Sequence, residues 1–174
     1  MFFCLVFCVF AIMVHLAPHA IELDISPASA ANILATVGGL SIVGKVVMGR
    51  AGDSIGSRQA LIIGFVLMSA ALFGLVPTKM AWMMYSIAGV FGFAYGACVA
   101  SQSPLVAVLF GLSAHGLILG VMSFGFTMGG AVGPLLTGLI FDFSGSYQLA
   151  FSVGGAVSFV GLILTIVLKP RSVR

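Results

Sequence analysis

Three groups of residues in this sequence could do chemistry. Lys45 stands alone in the apolar stretch LSIVGKVVMG, Leu40 to Gly49. An ammonium inside an apolar segment is costly, so it faces a cavity or a partner, or it snorkels to nearby headgroups. His15 and His19 are four residues apart, with Glu22 close behind. That spacing puts both imidazoles on one helix face, where they could hold zinc, relay a proton or gate a path. Pro18 interrupts a helix at that point, and packing at a helix end is the plainer reading. The third group is GRAGDSIGSRQ, Gly49 to Gln59, with Arg50, Asp53 and Arg58 between glycines 49, 52 and 56. Gly52 and Gly56 permit a tight reversal. Asp53 is placed to pair with Arg50 or Arg58, or to meet the N-terminal end of a helix. An ordinary basic turn would look much the same.

The elements that carry these residues must suit lipid. Only 6% of the 174 residues are charged and 61% are hydrophobic, with a mean hydropathy of +1.26. A soluble domain carries about a quarter charged residues. The apolar runs are continuous rather than alternating, which excludes a membrane barrel and reads as helices. Six spans are expected, roughly 1–21, 27–49, 59–77, 80–104, 115–140 and 147–168. Ser26-Pro27 is a helix start, Pro77-Thr78-Lys79 a break, and Ser144-Gly145-Ser146 a turn. Pro104 should end or kink the fourth span and leave Leu105 to Phe110 as a short connecting helix. His115 opens the fifth span, and Asp142 anchors the turn that follows it. The first run has no basic leader and is long, so it reads as a span and not as a cleaved signal peptide.

Charge placement orients the bundle. With Met1 cytoplasmic, Arg50, Arg58, Lys169, Arg171 and Arg174 fall on the cytoplasmic side, and Lys79, Glu22, Asp24 and Asp142 on the other. That agrees with the positive-inside rule and puts both termini in the cytoplasm. The net charge of +3 therefore reports topology and not nucleic-acid binding. Cys4, Cys8 and Cys98 form no CxxC pair and read as small apolar fillers. Glycines repeat every four residues at 125, 129 and 133, at 92 and 96, and at 116 and 120. Such spacing lets helix backbones approach closely in lipid. Within the spans Asn32, Tyr85, Tyr95 and Gln102 could line a path or make interhelical hydrogen bonds. Tyr85 and Tyr95 should face about 80° apart, so they need not act together.

The order Gly49-x-x-x-Asp53-x-x-Gly56-x-Arg58 resembles the cytoplasmic loop signature of the major facilitator superfamily. Ser54 and Ser57 stand where that signature has arginines. The stretches SIVGKVVMGRAGDSIG and HLAPHAIELDISPASAA, and the long run from Gly89 to Phe151, are similar to the carboxy-terminal half of bacterial carriers near the monocarboxylate porter and oxalate/formate antiporter branch. On the connector after the fourth span this chain has Val108 and Ser113 where such relatives often carry charges.

The resemblance implies an all-α fold, residues 1–174 as one six-helix half-bundle of a major facilitator fold, lacking the amino-terminal bundle. Met1 leads directly into apolar sequence, which suggests a truncated start. The implied partners are the lipid bilayer, an amino-terminal six-helix half or a second copy, and a small organic anion such as a monocarboxylate. Transport would be by alternating access in a bacterial inner membrane. Lys45 occupies the position where relatives pair a basic residue with the substrate carboxylate. Ser41 stands where they carry an Asp, and Tyr95, Gln102 and Asn32 complete the candidate substrate site. Gly49, Asp53, Gly56 and Arg58 form the gating loop, and His15 and His19 a proton or gate pair. The competing reading is a non-transporting membrane scaffold or accessory subunit. An enzyme is not expected, because no nucleophile–base pair, metal cluster or phosphate loop is present in the sequence, and no cofactor is implied.

Overall fold

In the computed structural model, which describes residues 1–111 and 115–168, the chain folds as six helices. They are α1 (Phe2–Glu22), α2 (Pro27–Ile55), α3 (Ser57–Leu75), α4 (Ala81–Phe110), α5 (His115–Ser144) and α6 (Tyr147–Val167). All six are long and apolar enough to cross a membrane. The shortest has 19 residues and is about 28 Å long, close to the thickness of a hydrocarbon core. Lys169, Arg171, Arg174 and Ser113 lie outside the described residues.

Local chemistry sets several boundaries. The Ser26 hydroxyl accepts from the Ser29 amide at 3.2 Å, with Pro27 at the first helical position. Ser146 caps α6 through the Gln148 amide. Other boundaries depart from expectation. Residues 49–55 continue α2, and only Gly56, at φ +94°, separates it from α3. The charged stretch is thus the last turns of a helix and a one-residue corner. Pro18 and Pro104 do not interrupt α1 or α4, which run through them. Each removes one backbone donor, but in a packed membrane bundle that loss is tolerated where neighbours support the helix. The expected separate connecting helix after Pro104 is therefore the end of α4 itself.

Helices pack in two related groups. α2 lies against α4, and α1 against α5, as the two most extensive contacts. α3 bridges α4 and α6. Exchanging the first three helices for the last three maps one set of contacts onto the other, as expected of an internal three-helix repeat of inverted topology. The close approaches are made by glycine. A Cβ at Gly92 or Gly96 of α4 would strike the Val37 or Ser41 carbonyl of α2. In the equivalent α1–α5 pair, Gly129 and Gly133 of α5 meet the Phe3 and Phe7 carbonyls of α1. Gly44 of α2 meets the Phe93 carbonyl of α4 in the same way, so glycines stand on both members of the α2–α4 pair and on α5 in the α1–α5 pair.

Around these contacts Phe65, Phe91, Phe151, Met68, Leu72 and Met84 fill the interior. Two buried polar contacts tie helices together: Ser69 donates to Ser158 at 2.8 Å between α3 and α6, and the Cys8 thiol donates to the Gly154 carbonyl between α1 and α6. α5 is the most outward helix, with Leu117, Val121, Phe124 and Phe143 exposed.

Gly96→Ala should destabilise the bundle by about 2 kcal/mol or more, because its Cβ has only backbone to displace. Gly120, with open space beside it, should accept Ala within about 0.5 kcal/mol. Thermal melts of both variants in the same detergent would check the contrast.

Candidate functional site

α1, α4 and α5 enclose a cavity of about 630 Å³. Val6, Val9 and Phe10 of α1 and Phe126 of α5 give it an apolar wall, and Tyr95, Gln102 and Thr127 supply its polar groups. This is the usual make-up of a small-molecule pocket, mostly apolar with a few placed polar groups. The Thr127 hydroxyl donates to the Ser123 carbonyl at 3.0 Å, which leaves its oxygen to accept from a guest. Gln102 makes no side-chain hydrogen bond with another described residue, so its amide presents both a donor and an acceptor. Gly130 also lines the cavity. Pro134, four residues on, removes the helical partner of the Gly130 carbonyl and leaves one more acceptor there.

Lys45 reaches the same neighbourhood from α2. Its ammonium lies 5.8 Å from the centre of the Tyr95 ring, a cation–π distance. Tyr95 therefore both lines the cavity and borders the cation. The sole ion pair among the described residues is His19–Glu22, so no carboxylate here neutralises Lys45. By helical position Lys45 is about 15 Å from the Ile55 end of α2. That depth follows from residues 49–55 staying helical and lengthening α2 beyond the expected end at 49.

The remaining site candidates divide. Ser41 is buried, its hydroxyl donates to the Gly38 carbonyl at 2.7 Å, and its own carbonyl meets Gly96. It is a packing residue and does not line the cavity. Asn32 is exposed on α2 and is not among the lining residues. Tyr85 bonds the Ser29 carbonyl, away from Tyr95. His115 begins α5 with its Nε2 3.2 Å from the Ser103 hydroxyl. Sequence reasoning missed Thr127 and Phe126. The available signal was Ser123 and Thr127, two hydroxyls four apart in an apolar run, which share a helix face.

The motif residues cluster at the α2–α3 corner. Arg58 turns to the end of α6: its Nε donates to the Thr165 carbonyl at 3.2 Å and its Nη2 to the Ile166 carbonyl. These are last-turn carbonyls without helical partners, and a cation is favoured there. The expected pairing of Asp53 with Arg50 or Arg58 is absent among the described residues. Asp53 is exposed, and Ser54 bonds back to the Ala51 carbonyl.

At the opposite end, His15 and His19 share a face of the unbroken α1. His15 Nε2 lies 3.0 Å from the Pro134 carbonyl and its Nδ1 3.4 Å from the Tyr147 hydroxyl. His19 Nδ1 is 3.5 Å from Glu22. Tyr147 is stacked on Phe141 at 4.3 Å.

A family model described as the Major Facilitator Superfamily matches residues 1–174. The chain belongs to the major facilitator superfamily. Six membrane-length helices and a polar-spotted cavity are consistent with that membership. The chain is similar to monocarboxylate transporter 13 of Rattus norvegicus, 28% identical over 150 residues, covering 85% of this chain and 35% of the relative. It is 30% identical over 174 residues to monocarboxylate transporter 11 of Homo sapiens, covering 91% and 36%. This superfamily chain thus spans about a third of the length of the curated relatives it matches.

Arg58→Gln removes a charge-assisted tie between the α2–α3 corner and α6. It should destabilise the chain by about 1–2 kcal/mol, whereas Asp53→Asn should change stability by less than about 0.5 kcal/mol. The comparison is a melting experiment on the two variants.

Proposed function

We propose that the chain is one half of a secondary transporter, the carboxy-terminal six-helix bundle, and that the α1–α4–α5 cavity is its wall of a path for a small organic anion. The observation that carries this reading is Lys45, a cation without a carboxylate partner among the described residues, beside the Tyr95 ring that lines the cavity. A carboxylate bound there would meet the ammonium, while Gln102 and Thr127 hold its polar substituents and the apolar wall takes its carbon chain. The similarity to proteins named as monocarboxylate transporters supports the substrate class. Alternating access needs two bundles rocking about a midplane site, so the other wall would come from an amino-terminal half or a second copy. The gating residues would be Gly49, Asp53, Gly56 and Arg58, with the Arg58–α6 tie as the part that breaks when the corner moves. Arg50 and Arg58 at one end, against Glu22, Asp24 and Asp142 at the other, support cytoplasmic termini. A bacterial inner membrane is the setting implied by the resemblance read from the sequence.

The test uses labelled lactate with the whole chain in membranes, alone and with an amino-terminal half, and lactamide as the neutral control. Lys45→Ala should weaken lactate binding about 10- to 100-fold, the loss of one hydrogen bond to a charged group. Lys45→Arg should keep most of it, and lactamide should not compete. Lactate binding unchanged in Lys45→Ala would remove the substrate assignment. A chain that supports no uptake with any partner half would instead be the scaffold considered from the sequence.

A further inference from the structure

The α4 groups of the α1–α4–α5 cavity are not scattered over its wall. Tyr95, Val99 and Gln102 all line it, and they stand at i, i+4 and i+7, so one helix face carries them in a row. The row reads polar, apolar, polar. Seven residues separate Tyr95 from Gln102, which is about 10 Å along the axis. Lys45 stands at the Tyr95 end. Its ammonium lies 5.8 Å from the centre of the Tyr95 ring, and its backbone amide is the nitrogen that a Cβ on Gly96 would meet at 2.7 Å. Gly96 is next to Tyr95 and six residues from Gln102, so the cation and the amide mark opposite ends of the row.

Between those ends the wall offers little to a polar group. The α1 side is Leu5, Val6, Val9 and Phe10, with no polar side chain among them. Thr127 lines the α5 side, but its hydrogen is committed to the Ser123 carbonyl. A polar group in the middle of a guest would face the α1 side chains without a hydrogen-bond partner. Gln102 offers a donor and an acceptor at the far end. An apolar group pressed on it would strip its water and replace none of its hydrogen bonds.

We propose, resting on the anion site above, that this wall selects an elongated monocarboxylate with a hydrogen-bonding group at its far end. The carboxylate meets Lys45, an apolar chain passes over Val99, and a terminal hydroxyl or carbonyl meets the Gln102 amide. The span sets the length. In an extended chain about eight bonds cover about 10 Å, which is the reach of an eight-carbon ω-hydroxy acid. A short hydroxy acid such as lactate reaches the Lys45 end and leaves Gln102 to water. Lys45 thus selects for charge, and Gln102 for length and for what stands at the far end.

Equilibrium binding to the full chain in lipid bilayers tests this, with protein-free vesicles subtracted. The probes are octanoate with 8-hydroxyoctanoate, and butyrate with 4-hydroxybutyrate. The quantity read is the gain from the terminal hydroxyl, the ratio of dissociation constants within each pair. In the wild type the eight-carbon pair should show a gain about 3- to 10-fold larger than the four-carbon pair, the effect of one neutral hydrogen bond. Gln102→Leu should remove that excess, and Lys45→Ala should weaken both eight-carbon acids alike. The comparison of chain lengths uses the wild type alone, so it decides the matter even where Gln102→Leu does not fold. Equal gains for the two pairs, or an excess that persists in Gln102→Leu, would overturn the spanning arrangement, and the anion site would stand if Lys45→Ala still weakens octanoate. Eight-carbon acids that do not bind, or that bind Lys45→Ala as well as wild type, would remove the anion site and this selection with it.

Discussion

Close backbone approach through glycine is the contact on which this bundle depends. In lipid the helices have no hydrophobic drive to associate, so van der Waals contact and a few hydrogen bonds must hold them. Gly92 and Gly96 bring α4 onto α2, and Gly129 and Gly133 bring α5 onto α1, in each case with a carbonyl where a side chain would otherwise stand. Those two pairs are the most extensive contacts in the molecule. They also set how α1, α4 and α5 face one another, and so they shape the cavity. The same contact puts Ser41 and the Lys45 amide against Gly96, which fixes Lys45 relative to Tyr95.

Given that frame, the polar groups fall into two classes. Ser101, Thr137 and Thr165 donate to carbonyls of their own helices, and Ser69 and Ser158 satisfy each other. These groups are closed. Tyr95, Gln102 and Thr127 line one cavity, Lys45 borders it across the Tyr95 ring, and among the described residues His19 and His115 each keep one buried, unpartnered ring nitrogen. In a bundle with so few charges, such open groups stand out against side chains that are already hydrogen-bonded.

The two ends of the bundle differ in construction as well as charge. At the Arg58 end, one guanidinium spans from the α2–α3 corner to the last turn of α6, so a single side chain couples α3 to α6. At the Glu22 end, α1, α5 and α6 meet through imidazole, phenol and stacked rings. Movement of either end must break directional bonds and cannot merely slide apolar surfaces. That is the kind of discrete contact a two-state membrane bundle needs.

The sequence by itself determined the solvent, the number of helices and the family resemblance. Hydropathy and charge are sums over long segments, and sums survive local error. It also marked Lys45, Tyr95 and Gln102, because polar residues in apolar runs are conspicuous. It could not decide whether a proline or a glycine ends a helix. Pro18, Pro104 and residues 49–55 look like breaks in one dimension, but neighbouring helices support the backbone in three. Nor could it separate Ser41, turned into a helix contact, from Thr127, turned into the cavity. Both are hydroxyls in apolar runs, and their roles follow from which face meets which helix. Asn32 was a candidate for the same reason, and the fold leaves it on an exposed face. The meeting of His15, His19 and Tyr147 was likewise beyond sequence spacing, since Tyr147 is more than a hundred residues away from both. Only the packing of α1 against α5 and α6 brings those rings together.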